Sequence, residues 1–483
     1  IDNTVFLGTK EYGILSMSFT DLLNPTEIHP DGPLSNSVFS IATQKNNVWF
    51  VYGGYNSAYV PIGIKQGFSH YNGQNWINTA FNPSFPFHDL VDVTIDSNHD
   101  NRVFISSFAQ TSNGNIYSGG GLIEVIDDQI TTFYHSQNSP LEDFLPTSAN
   151  NITTRISGSV FDSQGNLWLA DALGKNKLKK LSQGNTWQSF DLQTLQTNKA
   201  EETNKIIIDR LNNVWIATRR NGVYVYNEAG DRKRALTTEA TKGSLPNANV
   251  RAVASDANNR IWIGTQAGLV VYSNASGVFD ASIYDASPVI ILDDGIPKKL
   301  LGDQTINTIA VDGADNKWFG TDNGGVVYTN SSGQTTLASF NKDNSPLPSN
   351  KILKISVDTS NGKVFFATDK GVVAYNSKVA PFGDSLGEVY AYPNPALKNH
   401  QTVTIDGRNG THLPKGTNVK ILDVSGNLVY ETNVVEGQEI QGGKVIWNKK
   451  NLAGKNVASG IYIVLLSNDD GTESSSTKIA IIN

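Results

Sequence analysis

Apolar and polar positions alternate along most of the chain in one recurring unit. An apolar strand ends in Asp, a polar turn follows, an aromatic-centred strand ends in Gly-Thr or Ala-Thr, and a third apolar strand ends in Tyr. A period of two predicts β-strands that bury one face. The clearest copies are Lys205–Tyr226, Val250–Tyr272, Ile306–Tyr328 and Ile352–Tyr375, with looser copies at Phe39–Tyr71, Val91–Val125 and Ser157–Leu181.

The aspartates that end the first strand give the length of the repeat. Asp162, Asp209, Asp256, Asp312 and Asp358 are spaced by 47, 47, 56 and 46 residues, the length of a four-stranded propeller blade. We assign these aspartates and the central aromatic rings to structure, because the rings fill the gap between adjacent sheets. The rings are Trp49, Phe104, Trp168, Trp215, Trp262, Trp318 and Phe365. The pattern predicts an all-β fold with a β-propeller of about seven four-stranded blades.

The first copy of the unit is incomplete. Val5–Met17 matches only the second and third strands. Two alternatives stay open: this hairpin completes the last blade and closes the ring, or it belongs to a further blade upstream. Because the chain starts at Ile1 without an initiator Met or a signal sequence, we expect a processed or truncated chain.

After Ser377 the repeat stops and a new pattern of short strands begins near Ala391. The strand segments are TVTID, NVKILDV, LVYETNV, KVIWN, IYIVLLS and KIAII, separated by turns rich in Ser, Gly and Asn. Alternating apolar positions in them indicate the sheets of a sandwich. We therefore predict two domains, a β-propeller over residues 1–378 and an Ig-like β-sandwich over residues 388–483.

Both parts resemble known families. The repeat, VxxIxxDxxNxxWIGTxxGLxxY preceded by SLPxN, resembles the two-component-regulator propeller repeat. The second domain resembles the C-terminal signal domain of the type IX secretion system, through PNP at 393–395, VKILDVSGNLVY, Trp447, SGIY and the terminal KIAI. This resemblance implies export across the outer membrane of a Bacteroidetes-type bacterium. The implied secretion-signal residues are Pro393, Asn394, Pro395, Gly460, Tyr462 and Lys478.

The pairing of the two domains resembles the PorZ-like components of the type IX attachment complex. That resemblance implies a non-enzymatic protein at the cell surface, associated with the outer membrane, which partners the sortase PorU and other type IX components and binds anionic lipopolysaccharide. Such proteins carry two propellers before the signal domain, and one is evident in this sequence. The alternative is an exported type IX cargo whose propeller binds an extracellular glycan or protein.

Composition and motifs narrow the chemistry. A net charge of -7 and a pI of about 5.6 disfavour general nucleic-acid binding. The chain has no cysteine, its seven histidines show neither HxH nor HExxH spacing, and no GxSxG or P-loop motif occurs. Aspartate-rich turns such as Asp162–Asn166, Asp312–Asn316 and Asn468–Gly471 hold oxygen ligands, but tight turns need the same residues. We predict no catalytic residue, no metal, no cofactor and no transmembrane segment.

Two groups of side chains are candidate binding sites. One is a basic cluster that would bind the anionic groups of a polysaccharide, with a solvated loop face as the alternative. It consists of Lys175, Lys177, Lys179, Lys180, Arg219, Arg220, Arg232, Lys233 and Arg234. The other is a set of rings suited to sugar stacking, with blade core as the alternative: Tyr52, Tyr55, Tyr59, Tyr71 and Trp76.

Overall fold

A computed structural model describes residues 3–483 except positions 10–12, 29, 57, 86, 100, 109–110, 113–114, 117–118, 145–151, 196–201, 378, 435–441 and 469. The described residues form 40 β-strands and three short 3₁₀ turns. The predicted all-β fold, a propeller followed by a sandwich, is confirmed.

The first three strands form a small sheet of their own. They are β1 (Thr4–Gly8), β2 (Ile14–Ser18) and β3 (Asp21–Ile28). Among the described residues they pair only with one another. The alternative in which Val5–Met17 completes the last blade is therefore wrong.

The first four blades of the propeller are four-stranded sheets. Blade 1 has β4 (Ser40–Gln44), β5 (Asn47–Val51), β6 (Gly67–Tyr71) and β7 (Trp76–Ala80). Blade 2 has β8 (Leu90–Ile95), β9 (Arg102–Ser107), β12 (Gly121–Ile126) and β13 (Gln129–Tyr134), with the hairpin β10 (Thr111–Ser112) and β11 (Asn115–Ile116) inserted. Blade 3 has β14 (Ile156–Phe161), β15 (Leu167–Asp171), β16 (Leu178–Leu181) and β17 (Trp187–Phe190), followed by the 3₁₀ turn Gln193–Leu195. Blade 4 has β18 (Thr203–Ile208), β19 (Val214–Thr218), β20 (Val223–Asn227) and β21 (Arg232–Leu236).

The last three blades vary in strand number. Blade 5 has β22 (Val250–Ser255), β23 (Ile261–Thr265) and β24 (Gly268–Tyr272), followed by the 3₁₀ turn Ala275–Gly277 and the hairpin β25 (Ile290–Asp293) and β26 (Ile296–Lys299). Blade 6 has β27 (Ile306–Val311), β28 (Lys317–Thr321), β29 (Val326–Thr329) and β30 (Thr336–Phe340). Blade 7 has β31 (Ile352–Asp358), β32 (Lys363–Thr368) and β33 (Gly371–Asn376). The extra hairpin explains why Asp256 and Asp312 have the longest spacing.

The ring closes by contact between blade 7 and blade 1. The backbone N–H of Thr43 donates to Ser356 Oγ at 3.1 Å, and that of Asn46 donates to Asp358 Oδ2 at 2.7 Å. Ala367 belongs to the hydrophobic cluster that contains Ile41 of blade 1. Side-by-side packing of blades therefore joins the two ends of the ring, as elsewhere around it.

Four of the five turn aspartates bind the indole of their own repeat, which accounts for the spacing of six residues between Asp and Trp; the fifth, Asp358, has Phe365 in place of a Trp. Asp209 Oδ1 accepts the backbone N–H groups of Leu211 and Asn213, and Asp209 Oδ2 accepts Trp215 Nε1 at 2.9 Å. Equivalent bonds to the indole run from Trp168, Trp262 and Trp318 to Asp162, Asp256 and Asp312. Because these carboxylates are already bonded to N–H donors, they hold the turn and fix the ring in the core.

The C-terminal domain is a sandwich of two sheets. One has β34 (Val389–Tyr392), β35 (Val403–Gly407) and β38 (Val445–Trp447), with the 3₁₀ turn Arg408–Gly410 after β35; the other has β36 (Asn418–Leu422), β37 (Leu428–Asn433), β39 (Gly460–Ser467) and β40 (Ser474–Ile481). The alternating residues Val419, Ile421, Val464 and Ile479 point into one core around Trp447. The propeller strands end at Asn376 and the sandwich strands begin at Val389.

Part of the segment between the domains packs against both of them, whereas Asp384, Ser385, Gly387 and Glu388 are exposed. Val379 and Ala380 are buried, and Ala380 pairs with Gly442 of the sandwich. Phe382 donates its backbone N–H to the carbonyl of Gly313 in blade 6 at 3.4 Å and packs against the sandwich core. The sandwich therefore joins the propeller on the face where the inner strands end, which we call the rear face; the front face is where they begin.

Candidate functional site

The inner strands of the blades share a distortion near the front face. Six of the seven inner strands shift register close to their first residue. Such a bulge leaves an extra residue unpaired and redirects its side chain. The extra residues include Asn204, Arg251, Asn307 and Leu353, and all four line one cavity of about 180 Å³. We call this cavity the axial pocket.

One carboxylate and two ammonium groups form a cluster at the axial pocket, in which Lys205 and Lys354 line the cavity and Asp92 lies behind them. Asp92 Oδ1 accepts Ser40 Oγ at 3.1 Å, Lys354 Nζ at 3.3 Å and Lys205 Nζ at 3.4 Å. Burial alone would raise the pKa of Asp92, but Lys205 and Lys354 more than offset this and hold that pKa below its usual value. Two lysines thus share one anion, so the cluster keeps a net positive charge.

A second polar chain runs along the wall of the pocket. Arg251 Nη1 donates to Asn307 Oδ1 at 3.1 Å, and Asn307 Nδ2 donates to Asp322 Oδ1 at 3.2 Å. Lys351 Nζ lies 3.8 Å from the same carboxylate. The Nε atom of Arg251 is buried and has no hydrogen-bond partner among the described residues. The guanidinium therefore retains one unused donor in the pocket.

A loop from blade 1 reaches across the ring and covers the pocket. The rings of Tyr55 and Tyr59 stack with centroids 4.6 Å apart. Tyr55 donates its hydroxyl to Asn204 Oδ1 at 3.0 Å, and Asn204 Nδ2 donates to the Tyr59 hydroxyl at 2.6 Å. Tyr59 has φ of 60°, a left-handed conformation that is costly for a tyrosine. These contacts hold the loop of blade 1 on blade 4.

An ion-pair network borders the pocket. Glu202 lies 3.0 Å from Arg219 Nη1 and 3.5 Å from Arg155 Nη1. The Arg219 guanidinium also covers the ring of Tyr59 at 5.1 Å. Burial lowers the pKa of Arg155 to about 10, against the opposite effect of Glu202 and Asp89. Arg219, predicted in the basic cluster, thus contacts the loop that covers the pocket.

The basic cluster predicted from the sequence is divided between two faces. Lys175 and Lys177 lie in the turn after β15, and Arg219 and Arg220 in the turn after β19, both on the front face. Arg232, Lys233 and Arg234 lie on the outer strand β21, where Arg232 pairs with Asn227 towards the rear face. The structure therefore does not merge all nine side chains into one patch.

Several of these side chains have internal partners. Lys179 is fully buried and donates to Glu142 at 2.6 Å, and Lys180 pairs with Glu228 at 2.5 Å. Lys177 is buried beside the carbonyls of Ala172 and Gly174. Arg234 donates to the carbonyls of Phe279 and Ala281, and Lys233 pairs with Asp231. Lys175, Arg220 and Arg232 remain exposed.

The predicted sugar-stacking rings separate into two groups. Tyr52, Tyr71 and Trp76 belong to a hydrophobic cluster of blade 1, and the Tyr52 hydroxyl bonds Ser69 Oγ at 2.7 Å. These three are blade core. Tyr55 and Tyr59 instead line the axial pocket.

The implied secretion-signal residues connect the start of the sandwich to its last strand. Asn394 Nδ2 donates to the carbonyl of Lys478 at 2.7 Å, and Ala480 donates its backbone N–H to Asn394 Oδ1 at 3.0 Å. Asn394 stands between Pro393 and Pro395, and both prolines follow cis peptide bonds. Tyr462, two residues after Gly460, donates its hydroxyl to the carbonyl of Ala458 and packs its ring on Trp447. Lys478 itself is exposed.

The described residues contain neither a metal-binding cluster nor a membrane-spanning helix. No group of three or more His, Cys, Asp or Glu side chains in the described part of the chain is placed to hold a metal ion. No helix there is both long enough and apolar enough to cross a membrane. Of the turns and histidines considered from the sequence, Asp469 and His29 lie outside the described residues.

Two known families match segments of the chain, one in each domain. Residues 390–482 match the secretion system C-terminal sorting domain, and residues 244–267 match the two component regulator propeller. The chain thus combines a β-propeller, in which one segment matches the regulator-type repeat, with a C-terminal segment that matches the sorting-domain family. No curated protein matches the chain.

One solved structure has the same fold over the whole chain. It is PorZ of Porphyromonas gingivalis, described as an essential bacterial surface component of the type-IX secretion system. The identity is 23%, the TM-score is 0.67, and the match covers 100% of this chain and 64% of PorZ. This chain thus spans 64% of the length of that protein. The predicted resemblance to PorZ-like proteins is confirmed.

Two further structures are more distant. The extracellular domain of a two component system protein from B. thetaiotaomicron is 13% identical with a TM-score of 0.49, covering 99% of this chain and 61% of its own. Virginiamycin B lyase from Staphylococcus aureus is 13% identical with a TM-score of 0.45, covering 70% of this chain and 94% of its own. At such low scores neither supports an inference about this chain.

Proposed function

We propose that this chain is a non-enzymatic cell-surface component of the type IX secretion system, exported through the outer membrane by its own sorting domain. One observation carries the proposal: the fold likeness to PorZ extends over both the propeller and the sorting domain. The tail family alone would fit any exported protein. The arrangement of the two domains is what favours a component of the machinery.

The proposal extends to ligand and partners. The propeller would bind anionic lipopolysaccharide at the outer membrane, and the protein would work with the sortase PorU and other type IX components. Of the nine predicted basic residues, Lys175 and Arg220 are the candidates on the front face, with Arg232 on the outer strand, because their side chains are exposed. Lysine and arginine suit this role because they donate to phosphate and carboxylate oxygens.

Binding of purified anionic lipopolysaccharide to the full chain tests the ligand. Reversing Lys175 and Arg220 to Glu together is expected to weaken binding several-fold, while the exposed Lys342→Glu change in another blade is the control for net charge. A second variant, Arg232→Glu, tests the outer strand separately. Unchanged binding in both would exclude these side chains.

The second candidate function is an exported cargo whose propeller binds an extracellular glycan or protein. It is favoured by the sorting-domain match at residues 390–482, a segment that cargo proteins would also carry. Intact mass of the native surface protein separates the two. Retention of residues 390–482 supports the machinery component, whereas their loss with attachment of a lipid-linked sugar supports cargo.

A further inference from the structure

We propose that the axial pocket is a binding site for an oxyanion, a carboxylate or phosphate group carried by a ligand about the size of one sugar residue. The inference goes beyond the proposed function, because it rests on the pocket alone and holds for a machinery component and for a cargo protein. None of the nine residues of the basic cluster lines this pocket, although Arg219 contacts Tyr59 in its wall.

The unused donors of the pocket call for an acceptor. Arg251 Nε is buried without a partner, and arginine and lysine side chains can only donate hydrogen bonds. Lys205 and Lys354 each give one N–H to Asp92 and keep further donors. A ligand that satisfies these groups must bring acceptor oxygens, and an ionised oxyanion forms the strongest such bonds.

The net charge of the side chains around the pocket also favours an anionic ligand. Four cations, Lys205, Arg251, Lys351 and Lys354, face the carboxylates of Asp322 and Asp92, which leaves two positive charges in excess. The whole chain carries a net charge of -7. An uncompensated positive site on an acidic protein costs free energy unless an anion binds there.

The walls and the volume limit the size of the ligand. Phe39, Tyr55 and Tyr59 form an aromatic side of the pocket. The cavity of about 180 Å³ would accommodate roughly six waters, since one water takes up about 30 Å³ in the liquid. This is room for one small ring and its acidic group, with aromatic rings on one side and cations on the other.

Calorimetric titration of the full chain with glucuronate and with glucose 6-phosphate tests the site, with uncharged glucose as the ligand control. We expect binding of at least one acid and none of glucose. Arg251→Gln keeps most of the side-chain length but removes the charge, and is expected to weaken binding about tenfold or more, the usual effect of losing a charged hydrogen bond. Lys351→Ala is the second variant, because its side chain is half exposed and its ion pair is long.

Lys370→Ala is the matched control, since Lys370 is exposed on the front face of the blade that carries Lys354 and is not among the residues that line the pocket. Failure of both acids to bind, equal binding of glucose, or full affinity in both pocket variants would overturn the inference.

An acidic oligosaccharide shows whether the acidic group belongs to a sugar chain or to a free small molecule. If the oligosaccharide binds more tightly than the monosaccharide acid, the pocket binds the end of a sugar chain. If it binds more weakly, the pocket binds a free small acid.

Discussion

The side-chain amide of Asn394 donates to the backbone carbonyl of Lys478, 84 residues further along the chain. The same side chain accepts the N–H of Ala480, so one asparagine bridges the PNP segment and the last strand β40. Two implied secretion-signal residues that are distant in sequence thus form one structural unit. In the folded sandwich, the Asn394 side chain therefore holds the PNP segment against β40.

Replacing Asn394 with Ala is expected to loosen β40. The change removes two hydrogen bonds, which together contribute about 1–2 kcal/mol to stability. Amide hydrogen exchange of the peptide covering residues 474–483 measures the effect, and the exchange should accelerate there while the blades stay protected. The exposed Asn399→Ala is the control. Equal exchange in the variant and the unmodified chain would show that Asn394 does not hold the strand.

Asp171 gives the propeller a stability that depends on pH. It is fully buried at the end of β15, where it accepts the N–H of Glu142 at 2.8 Å, and burial raises the pKa of this carboxyl to about 7. Between pH 4 and pH 7 the folded chain holds a proton that the unfolded chain has lost. The free energy of unfolding therefore falls as pH rises through this window, by up to about 4 kcal/mol.

The Asp171→Asn variant cannot ionise at this position, so its pH profile isolates the contribution of the carboxyl. Urea unfolding of the propeller between pH 4.5 and 8 should show the variant gaining stability relative to the unmodified chain as pH rises. Comparing the change with pH, rather than absolute stability, removes the constant effect of the new amide. A difference that does not vary with pH would contradict the raised pKa.

The joint between the domains depends on a glycine. A Cβ atom at Gly313 would lie 2.7 Å from Cα of Pro381. Gly313→Val is therefore expected to displace the linking segment and to increase protease cleavage between residues 377 and 388 several-fold. Gly387→Val is the matched control within the linker, because a Cβ there meets nothing closer than 3.9 Å. Limited proteolysis followed by mass spectrometry measures both, and equal cleavage would show that the joint tolerates the side chain.

The blades were predictable from the sequence because their defining contacts are local. Asp209 and Trp215 are six residues apart, and their hydrogen bond recurs in four repeats. The hairpins and the sandwich strands are also defined by residues that are close in sequence, so the sequence predicts them as well. The hairpin at Val5–Met17 carries the same pattern as the blades, so the sequence left two placements open, and the strand pairing excludes the one in which it completes the last blade.

The axial pocket could not be predicted, because its residues come from different blades. Asn204, Arg251 and Asn307 occupy similar positions in three repeats, and they converge only when the ring is closed. Lys179 and Lys180, in contrast, were predicted as part of a binding site, but the fold buries them. Their carboxylate partners, Glu142 and Glu228, lie 37 and 48 residues away, so the sequence displays an exposed-looking run of charge that the fold buries.

Deletion of the gene for this chain in its own bacterium tests the central claim most directly. The measurement is the amount and mass of other proteins with C-terminal sorting domains, in the culture medium and on the cell surface. If the chain is a component of the secretion machinery, those proteins are lost from the surface and accumulate inside the cell with their sorting domains attached. Normal export of those proteins in the deletion strain would contradict the account and leave the chain as a cargo.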